Sequence, residues 1–374
     1  MLTHSKKEES MNYCDKIEYN IYTTEKAEFG EMVDKLLAQL PQNEQIFRLA
    51  FFGMPSSNEQ YVSRRILLRE KVRKYYGNHE PVLSYVSQPP LNGGLILEAH
   101  TYTPDEGDHI TYKHIGTFPY VVLENGSGRF LFAGGFHGDV INFGIEVQSK
   151  EVFQLISDLM RREGFPINSI IRQWNYIEEI TKFDGDDQHY QIFNNSRSEY
   201  YGKTSWENGY PAATGIGANL GGVLVDLDAA VFSNPDCFAT PIDNKLQVAA
   251  HAYSEGVLEA ANSKKTTPKF ERAKSMTFGN RELIYISGTA AIRGEESLIG
   301  VGLERQLHIT MENIAELIGE AKLKMLRVYL KDKSFYKDAE RLLNEYKLNI
   351  PISYMWADVC RDELLIEIEG IAVL

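Results

Sequence analysis

The sequence predicts an α/β (α+β) protein of tandem modules, each with a mixed sheet that carries its helices on one face. Two observations lead to this prediction: strand-like runs alternate with amphipathic helical stripes, and several of these segments recur in the same order. The composition is that of an ordinary globular protein, with 43% hydrophobic and 24% charged residues. The 374 residues predict two or three domains at ~100–200 residues each.

The first third of the chain begins with a polar stretch, 1–18, that we expect to be loosely structured. Apolar residues spaced three and four apart between Phe29 and Leu40 predict a helix, and Pro41 ends it. The elements expected after it are a strand over 46–53, a helix over about 58–76, a two-stranded hairpin over 82–102 and a polar linker over 103–117.

The rest of the chain alternates strands and helices around two irregular stretches. The predicted elements are a strand over 129–139, a helix over 152–160, a strand over 170–176, an irregular section over 181–222, a strand over 221–231, a polar break over 262–269, a strand over 282–292, a helix over 303–318, a strand over 324–332, a helix over about 335–347 and a closing strand over 363–374. Strands joined through helices in this order predict helices on one face of a mixed sheet.

An internal repeat connects these segments. RFLFAGG aligns with ELIYISG, IIRQWNYI with KMLRVYLKD, and GGVLVDLDAAV with ELLIEIEGIAV, so that Asp226 falls on Glu367 and Asp228 on Glu369. The first third fits more weakly, with Ile96 in the place of Glu367 and Glu98 in that of Glu369. We therefore predict modules over 19–104, 115–232 and 270–374; chance similarity among alternating strands is the alternative.

Charge and cysteine usage exclude several classes of function. The net charge of −13 argues against nucleic acid as a partner, because phosphate binding needs a positive field; a small anion would need a local basic pocket. Three scattered cysteines, Cys14, Cys237 and Cys360, predict no disulfide framework and a reducing cytoplasm. No histidine motif implies a metal, and we expect no cofactor, signal peptide or membrane span.

The last module resembles the RidA (YjgF/L-PSP) family. The resemblance is carried by ISG (286–288), GLERQLHITMENIAELI (302–318), LRVYLKD (326–332) and IEIEGIAV (366–373). Proteins of that family commonly form trimers with sites between subunits. Three such modules in one chain imply a pseudo-trimer with a chorismate mutase-like fold, which acts as a monomer and has its sites between modules.

A longer stretch, roughly 165–374, is similar to chorismatases more specifically. The matching motifs are RQWNYIEEI (172–180), YQIFNNSR (190–197), YPAATGIGANLGG (210–222), PIDNKLQVAAHAY (241–253), KFERA (269–273), ISGTAAIRGEES (286–297) and ADVCRDELLIEIEG (357–370). The resemblance implies an enzyme that cleaves chorismate to pyruvate plus either 3-hydroxybenzoate or a dihydroxycyclohexadiene carboxylate.

Glu367 is the first candidate for catalysis. Side chains alternate faces along a strand, so Glu367 and Glu369 share one face of the closing strand, ~7 Å apart. Burial and like charge both raise a carboxyl pKa, so one of the two is able to stay protonated near neutral pH and act as a general acid. An edge strand with solvated glutamates is the alternative. The resemblance implies that Glu367 protonates the enolpyruvyl methylene of chorismate.

The same resemblance assigns substrate contacts and a product. Arginine suits a carboxylate of dianionic chorismate because its planar fork binds bidentately, and tyrosine donates a hydrogen bond. Cys360 is associated with the enzymes that release 3-hydroxybenzoate, whereas Ala273, where a glycine suits that type better, favours the diol. The residues that the matching motifs assign to substrate binding are Tyr190 and Arg197 and, more weakly, Arg172, Thr214, Tyr253 and Arg272.

Two other functions compete with this prediction. A RidA-type imine deaminase needs an arginine in the turn that reads YPAAT (210–214), IPISY (350–354) and PVLSY (81–85) here, and none has one. A non-catalytic metabolite-binding protein on the same fold is the second alternative. GIGANLGG (215–222) lacks the third glycine of a dinucleotide-binding loop.

Overall fold

The computed structural model describes residues 11–253 and 266–374, which form three mixed sheets with helices. A helical turn, α1 (Tyr13–Lys16), precedes the first unit. Its elements are β1 (Ile17–Thr24), α2 (Phe29–Leu37), β2 (Gln45–Phe52), α3 (Asn58–Tyr76), β3 (Val82–Val86) and β4 (Leu95–Tyr102). The strands lie in the order β1-β4-β2-β3, and only β2 and β3 run parallel.

The second unit adds two strands to this plan. Its elements are β5 (His109–Ile115), β6 (Phe118–Asn125), β7 (Gly128–His137), α4 (Ile145–Glu163), β8 (Ile170–Glu178), the short β9 (Phe183–Asp184) and β10 (Asp187–Gln188), α5 (His189–Tyr201), β11 (Ala212–Ala218) and β12 (Val223–Phe232). The six-stranded sheet has the order β11-β8-β12-β7-β6-β5, with β8 and β11 parallel.

The third unit repeats the second. Its elements are β13 (Cys237–Ile242), β14 (Ala273–Phe278), β15 (Arg281–Ala290), the short β16 (Ile292–Arg293) and β17 (Glu296–Ser297), α6 (Gly302–Ile318), β18 (Lys322–Leu330), α7 (Tyr336–Glu345), β19 (Ile352–Trp356) and β20 (Ile366–Val373). The sheet order is β13-β14-β15-β20-β18-β19, with β18 and β19 parallel. The three sheets therefore share one strand order, which confirms the predicted fold class.

Four hydrophobic cores follow from this plan. Each unit has its own core between its sheet and its helices, centred for example on Val33, Ile156 and Leu307. A fourth core joins the opposite faces of all three sheets and includes Phe47, Phe132 and Tyr329 among its residues. Helices therefore cover one face of each sheet, and the other faces pack on one another at the centre of the molecule.

Strand register shows which residues are equivalent in the three units. Strands β2, β8 and β18 each carry an arginine that lies opposite a residue of the closing strand of the same unit, which is β4, β12 or β20. The pairs are Arg48 with His100, Arg172 with Asp228 and Arg327 with Glu369.

The predicted alignment of the first unit is wrong by two residues. Glu98, not Ile96, occupies the position of Glu367, and His100 occupies that of Glu369. A shift of two residues keeps every side chain on the same face, so the pattern of apolar positions does not detect it.

The predicted hairpin over 82–102 is also wrong. Strand β3 pairs with β2, whereas β4 lies between β1 and β2. The Pro/Gly segment between them does not turn back tightly: Pro90 bridges Met355 of the third unit, and the Leu91 amide donates to the Tyr354 carbonyl at 3.0 Å. The segment that looked like a hairpin turn thus joins two units.

Three stretches predicted to be irregular are ordered instead. The linker over 103–117 contains the largely half-buried outer strand β5, whose polar residues resemble a loop. The section over 181–222 contains α5 and β11. Tyr13, in the stretch expected to be loose, is buried and stacks on Phe278 with the ring centroids 4.6 Å apart. Residues 1–10, and the first half of the predicted break over 262–269, lie outside the described residues.

Candidate active site

Each unit contacts the next through its central arginine. Arg48 of the first unit lies 3.2 Å from Asp226 and 2.6 Å from Asp228 of the second. Arg172 of the second unit and Arg327 of the third unit make the equivalent ion pairs with the third and first units. The Arg172 guanidinium contacts Glu369 at 2.5 Å, and the Arg327 guanidinium contacts Glu98 at 2.5 Å. Three related junctions therefore exist, each with a buried arginine facing the carboxylates of the following unit.

Glu367 breaks the pattern of these junctions. Its equivalents both have partners: Asp226 Oδ1 accepts from the Ser84 hydroxyl and the Gly135 amide, both at 2.6 Å, and Glu98 is paired with Arg327. Glu367 is 5% exposed and has no ion pair or hydrogen bond within 11–253 and 266–374. A buried carboxyl group without a donor favours its neutral form.

The neighbouring Glu369 accounts for part of this behaviour. Glu369 is held by Arg172, by the Thr214 hydroxyl, by Arg327 at 2.9 Å and by the Tyr329 hydroxyl at 3.0 Å. Burial and then the charge of Glu369 raise the pKa of Glu367 to about 8, against smaller opposing effects of Arg172 and Arg272. One carboxyl of the pair therefore carries the charge, and the other holds a proton near neutral pH.

Glu367 opens onto a cavity of about 380 Å³. Helix α5 of the second unit forms one wall, and strands and loops of the third unit form the others. The residues that line it include Tyr190, Gln191, Asn194, Tyr253, Phe270, Arg272, Gly288, Cys360, Arg361 and Glu367. The site thus lies at the junction of the second and third units, as predicted for a pseudo-trimer.

Gly288 leaves room for the Glu367 carboxyl group. A Cβ atom at position 288 would lie 2.1 Å from Glu367 Oε1 and 3.0 Å from its Cδ. In strand β11, Gly215 leaves similar room for Tyr190, because a Cβ atom at position 215 would lie 2.7 Å from the Tyr190 ring. These two glycines of the ISG and ATGIG segments are therefore required by close packing at the site.

The cavity contains two arginines, Arg272 and Arg361, and its lining also includes Glu296 and Glu363. Arg272 donates to the Val248 carbonyl at 2.8 Å and to the Tyr253 hydroxyl. Arg361 donates to the Glu295 carbonyl at 3.0 Å, and its guanidinium lies 5.2 Å from the Tyr253 ring centroid. Neither arginine forms an ion pair within the described ranges. Two arginines without an acidic partner among the described residues therefore face the cavity of a chain whose net charge is −13.

Helix α5 carries Tyr190, which lines the cavity, and Arg197, which contacts the cavity residue Asn194. Burial raises the pKa of Tyr190, so its hydroxyl is a neutral donor. Arg197 is 1% exposed and does not line the cavity; it donates to Asn194 at 2.5 Å, and its Nε atom has no partner among the described atoms. Asn194 in turn faces the cavity.

Some of the predicted residues line the cavity, and others lie behind it and contact Glu369. Glu367, Cys360, Tyr190, Tyr253 and Arg272 line the cavity. Arg172 and Thr214 do not reach it, and instead hold Glu369 from behind. Sequence reasoning missed the other lining residues, and three of these lie within motifs that it had already quoted. These residues are Asn194, Gly288 and Arg361.

The two residues that bear on the product differ in position. Cys360 lines the cavity, and burial and the charge of Glu367 raise the pKa of its thiol to about 12. The thiol is therefore neutral in the resting site. Ala273 is fully buried in the core of the third unit and does not line the described cavity. Of the two signals, only Cys360 contacts the space that a substrate would fill.

Comparison with known proteins agrees with the sequence motifs. Residues 109–228 match the family model described as chorismatase FkbO/Hyg5-like, N-terminal. The chain is 26% identical over 289 residues to a 3-hydroxybenzoate synthase of Streptomyces hygroscopicus, covering 72% of this chain and 77% of that protein. It is 27% identical over 239 residues to a chorismatase of Streptomyces rapamycinicus, covering 59% and 68%.

A solved structure extends the likeness over the whole chain. A chorismatase crystal structure superposes with a TM-score of 0.69 at 18% identity, covering 95% of this chain and 98% of that chain, which shows a shared fold. The predicted resemblance to chorismatases is confirmed. No helix in the described part of the chain is long and apolar enough to span a membrane.

Proposed function

We propose that this chain is a chorismatase that cleaves chorismate to pyruvate and 3-hydroxybenzoate, with Glu367 as the general acid. One observation carries the proposal: among the described residues, Glu367 is a buried carboxyl without any partner, and it faces a cavity that contains unpaired arginines. The relatives named chorismatase and 3-hydroxybenzoate synthase support the substrate and the product.

The first chemical step is a proton transfer. The protonated Glu367 carboxyl gives its proton to the methylene carbon of the enolpyruvyl group, and the double-bond electron pair forms the new C–H bond. The ether carbon becomes an oxocarbenium ion, and Glu367 becomes a carboxylate. The charges of Glu367 and Glu369 then stabilise the cation. A pKa of about 8 keeps the acid protonated at neutral pH before the step.

The second step determines the product. In one course, the ring hydroxyl attacks the oxocarbenium carbon, its proton passes to the original ether oxygen, and the bond between that oxygen and the pyruvyl carbon breaks. The bond between the ring carbon and the attacking oxygen then breaks, so this oxygen leaves as the ketone oxygen of pyruvate. Loss of the proton from the ring carbon that bears the retained hydroxyl gives 3-hydroxybenzoate without added water. Attack by a water molecule gives the dihydroxycyclohexadiene carboxylate instead and consumes that water. Cys360, a neutral thiol beside Glu367, is in a position to exclude water from this part of the cavity.

The basic groups of the cavity suit a dianion. We assign the two substrate carboxylates to Arg272 and Arg361, with Tyr190 and Tyr253 as hydrogen-bond donors. Arg197 acts through Asn194, which it holds against the cavity. Arg172 and Thr214 act through Glu369. In this proposal the two arginines and two tyrosines that line the cavity touch the substrate, whereas Arg172 and Thr214 position the acid pair.

The proposal includes the setting in which the chain works. We propose 19–104, 115–232 and 270–374 as its repeating modules and a monomer as its active form, because the cavity is lined by two units of the same chain. A cytoplasmic location is supported by the three cysteines, none of which forms a disulfide in the described ranges.

Glu367→Gln tests the proposed acid directly. The amide resembles the neutral carboxyl in shape and charge but supplies no proton. We expect kcat to fall by about 10²-fold or more, while the Kd for chorismate changes little. In the wild-type chain, kcat/KM should stay level at neutral pH and fall as pH rises through about 8. A variant with intact turnover would refute the assignment, and a protein that binds chorismate but never turns it over would favour the non-catalytic alternative.

A further inference from the structure

The junction between the first and second units repeats the surroundings of the candidate active site without its acid. Helix α3 takes the place of α5 and β3 that of β11. A Cβ atom at Gly134 would lie 2.2 Å from Asp226 Oδ1, much as one at Gly288 would lie 2.1 Å from Glu367 Oε1. The acid equivalent to Glu367 is Asp226, which is paired with Arg48 and accepts from Ser84 and the Gly135 amide through Oδ1. Among the described residues, this junction therefore holds a paired acid where the other has an unpaired one, but it keeps an open space.

That space is a cavity of about 150 Å³ with a mixed lining. Apolar walls come from Leu68, Leu83, Tyr85 and Phe118. The volume and the aromatic lining suit one ring-sized ligand. A second cavity, of about 460 Å³, adjoins it and shares Arg65 and His137 with it.

Two arginines supply positive charge to this cavity. Arg65 and Arg69 are four residues apart, so they project from the same face of α3. Neither forms an ion pair in the described part of the chain, and Arg65 Nη1 is buried without a hydrogen-bond partner there. Asp139 and Glu151 line the adjoining cavity, and neither is paired with Arg65.

His137 completes the polar side of the cavity as a neutral group. Its Nδ1 atom lies 2.9 Å from the Gly138 carbonyl, which assigns the proton to Nδ1 and leaves Nε2 as an acceptor. Burial and the charges of Arg65 and Arg69 lower the pKa of His137 to about 4. A histidine that stays neutral between two cations and an apolar wall does not compete with an anionic ligand for the arginines.

We infer that this cavity is a second binding site, for a small aromatic carboxylate whose acid group pairs with Arg65 and Arg69. The ring lies against the apolar wall, and a ring hydroxyl, where the ligand has one, donates to His137. The site binds without catalysis, because Asp226 is already paired. The inference rests on this junction alone and does not depend on the proposed reaction.

The test uses 4-fluorobenzoate as the probe, followed by fluorine NMR titration of the full chain. The active site also has arginines, so Arg272→Gln is introduced first to weaken binding there. We expect 4-fluorobenzoate still to bind this variant. Adding Arg65→Gln and Arg69→Gln should weaken the remaining binding by about tenfold or more, because two charge-assisted hydrogen bonds are lost.

Arg73→Gln is the matched control, since Arg73 is an exposed arginine of the same helix outside the cavity. It should leave binding unchanged. With Arg272 intact, the Arg65→Gln/Arg69→Gln variant should release pyruvate from chorismate at the wild-type rate, which confirms that it is folded. Loss of all binding in Arg272→Gln alone, or unchanged binding after Arg65→Gln and Arg69→Gln are added, would overturn the inference. Neither result depends on whether chorismate is the substrate.

Discussion

Glu367→Gln should make the protein more stable at neutral pH while it removes activity. In the folded chain, burial and the charge of Glu369 raise the pKa of Glu367 from 4.5 to about 8. At pH 7 the unfolded chain therefore releases a proton that the folded chain keeps. This difference favours unfolding, and glutamine does not have it because its amide does not ionise in this range.

The size of the effect follows from the pH interval. A group with a raised pKa gives its full stabilisation below its unfolded pKa and loses it as pH rises towards its folded pKa. Between pH 4.5 and pH 7, wild-type stability relative to the variant falls by about 1.4 kcal/mol per pH unit, which amounts to about 3 kcal/mol at pH 7. Below pH 4.5 the two proteins should be equally stable, and above pH 8 the difference should reach a plateau.

Chemical denaturation at a series of pH values from 4 to 9 measures this difference. Glu106→Gln is a suitable control, because Glu106 is exposed on a turn and its replacement should change stability little at any pH. A Glu367→Gln variant that is no more stable than the wild type at pH 7, with the same pH dependence, would refute the claim that Glu367 is protonated in the folded chain.

Three further substitutions test the surroundings of the acid. Glu369→Gln removes the neighbouring charge, so the pKa of Glu367 should fall and the alkaline decrease of kcat/KM should move to lower pH; an unmoved pH profile would contradict the coupling. Gly288→Ala places a methyl group on the Glu367 carboxyl and should lower kcat by about tenfold or more with the fold retained, as circular dichroism would show, whereas Gly144→Ala, with open space around it, should be silent. Cys360→Ala should keep pyruvate release but shift the organic product towards the diol, as chromatography would show. An unchanged product would show that Cys360 does not select between the two products.

The sequence predicted the repeat because three sets of strands and helices follow the same order. It also placed Glu367 and Glu369 on one face, since strand alternation is a local property. It did not predict that β4 lies between β1 and β2, because Pro90 and its neighbours contact the third unit, and long-range pairing of this kind leaves no local signal. Helix α5 was missed because it buries polar residues such as Asn194 and Arg197 against the site and so lacks a clean apolar stripe.

The motifs also did not predict which of the site residues line the cavity and which contact Glu369 behind it. Arg172 and Thr214 lie in matching motifs just as Arg272 and Tyr253 do, and a motif does not indicate whether a side chain faces the cavity or the acid behind it. Register decides this, because Arg172 points across the junction to Glu369. The role of Gly288 also became visible only when the Glu367 carboxyl was found against it.

Incubation of the purified chain with chorismate tests the proposed cleavage. Pyruvate is followed by a coupled lactate dehydrogenase assay, and the organic product is resolved by chromatography. We predict equimolar pyruvate and 3-hydroxybenzoate from the wild-type chain, and release of both slower by about 10²-fold or more from Glu367→Gln. Pyruvate with the diol acid would keep the cleavage and reverse the product assignment, whereas a folded protein that releases no pyruvate would contradict the proposed function.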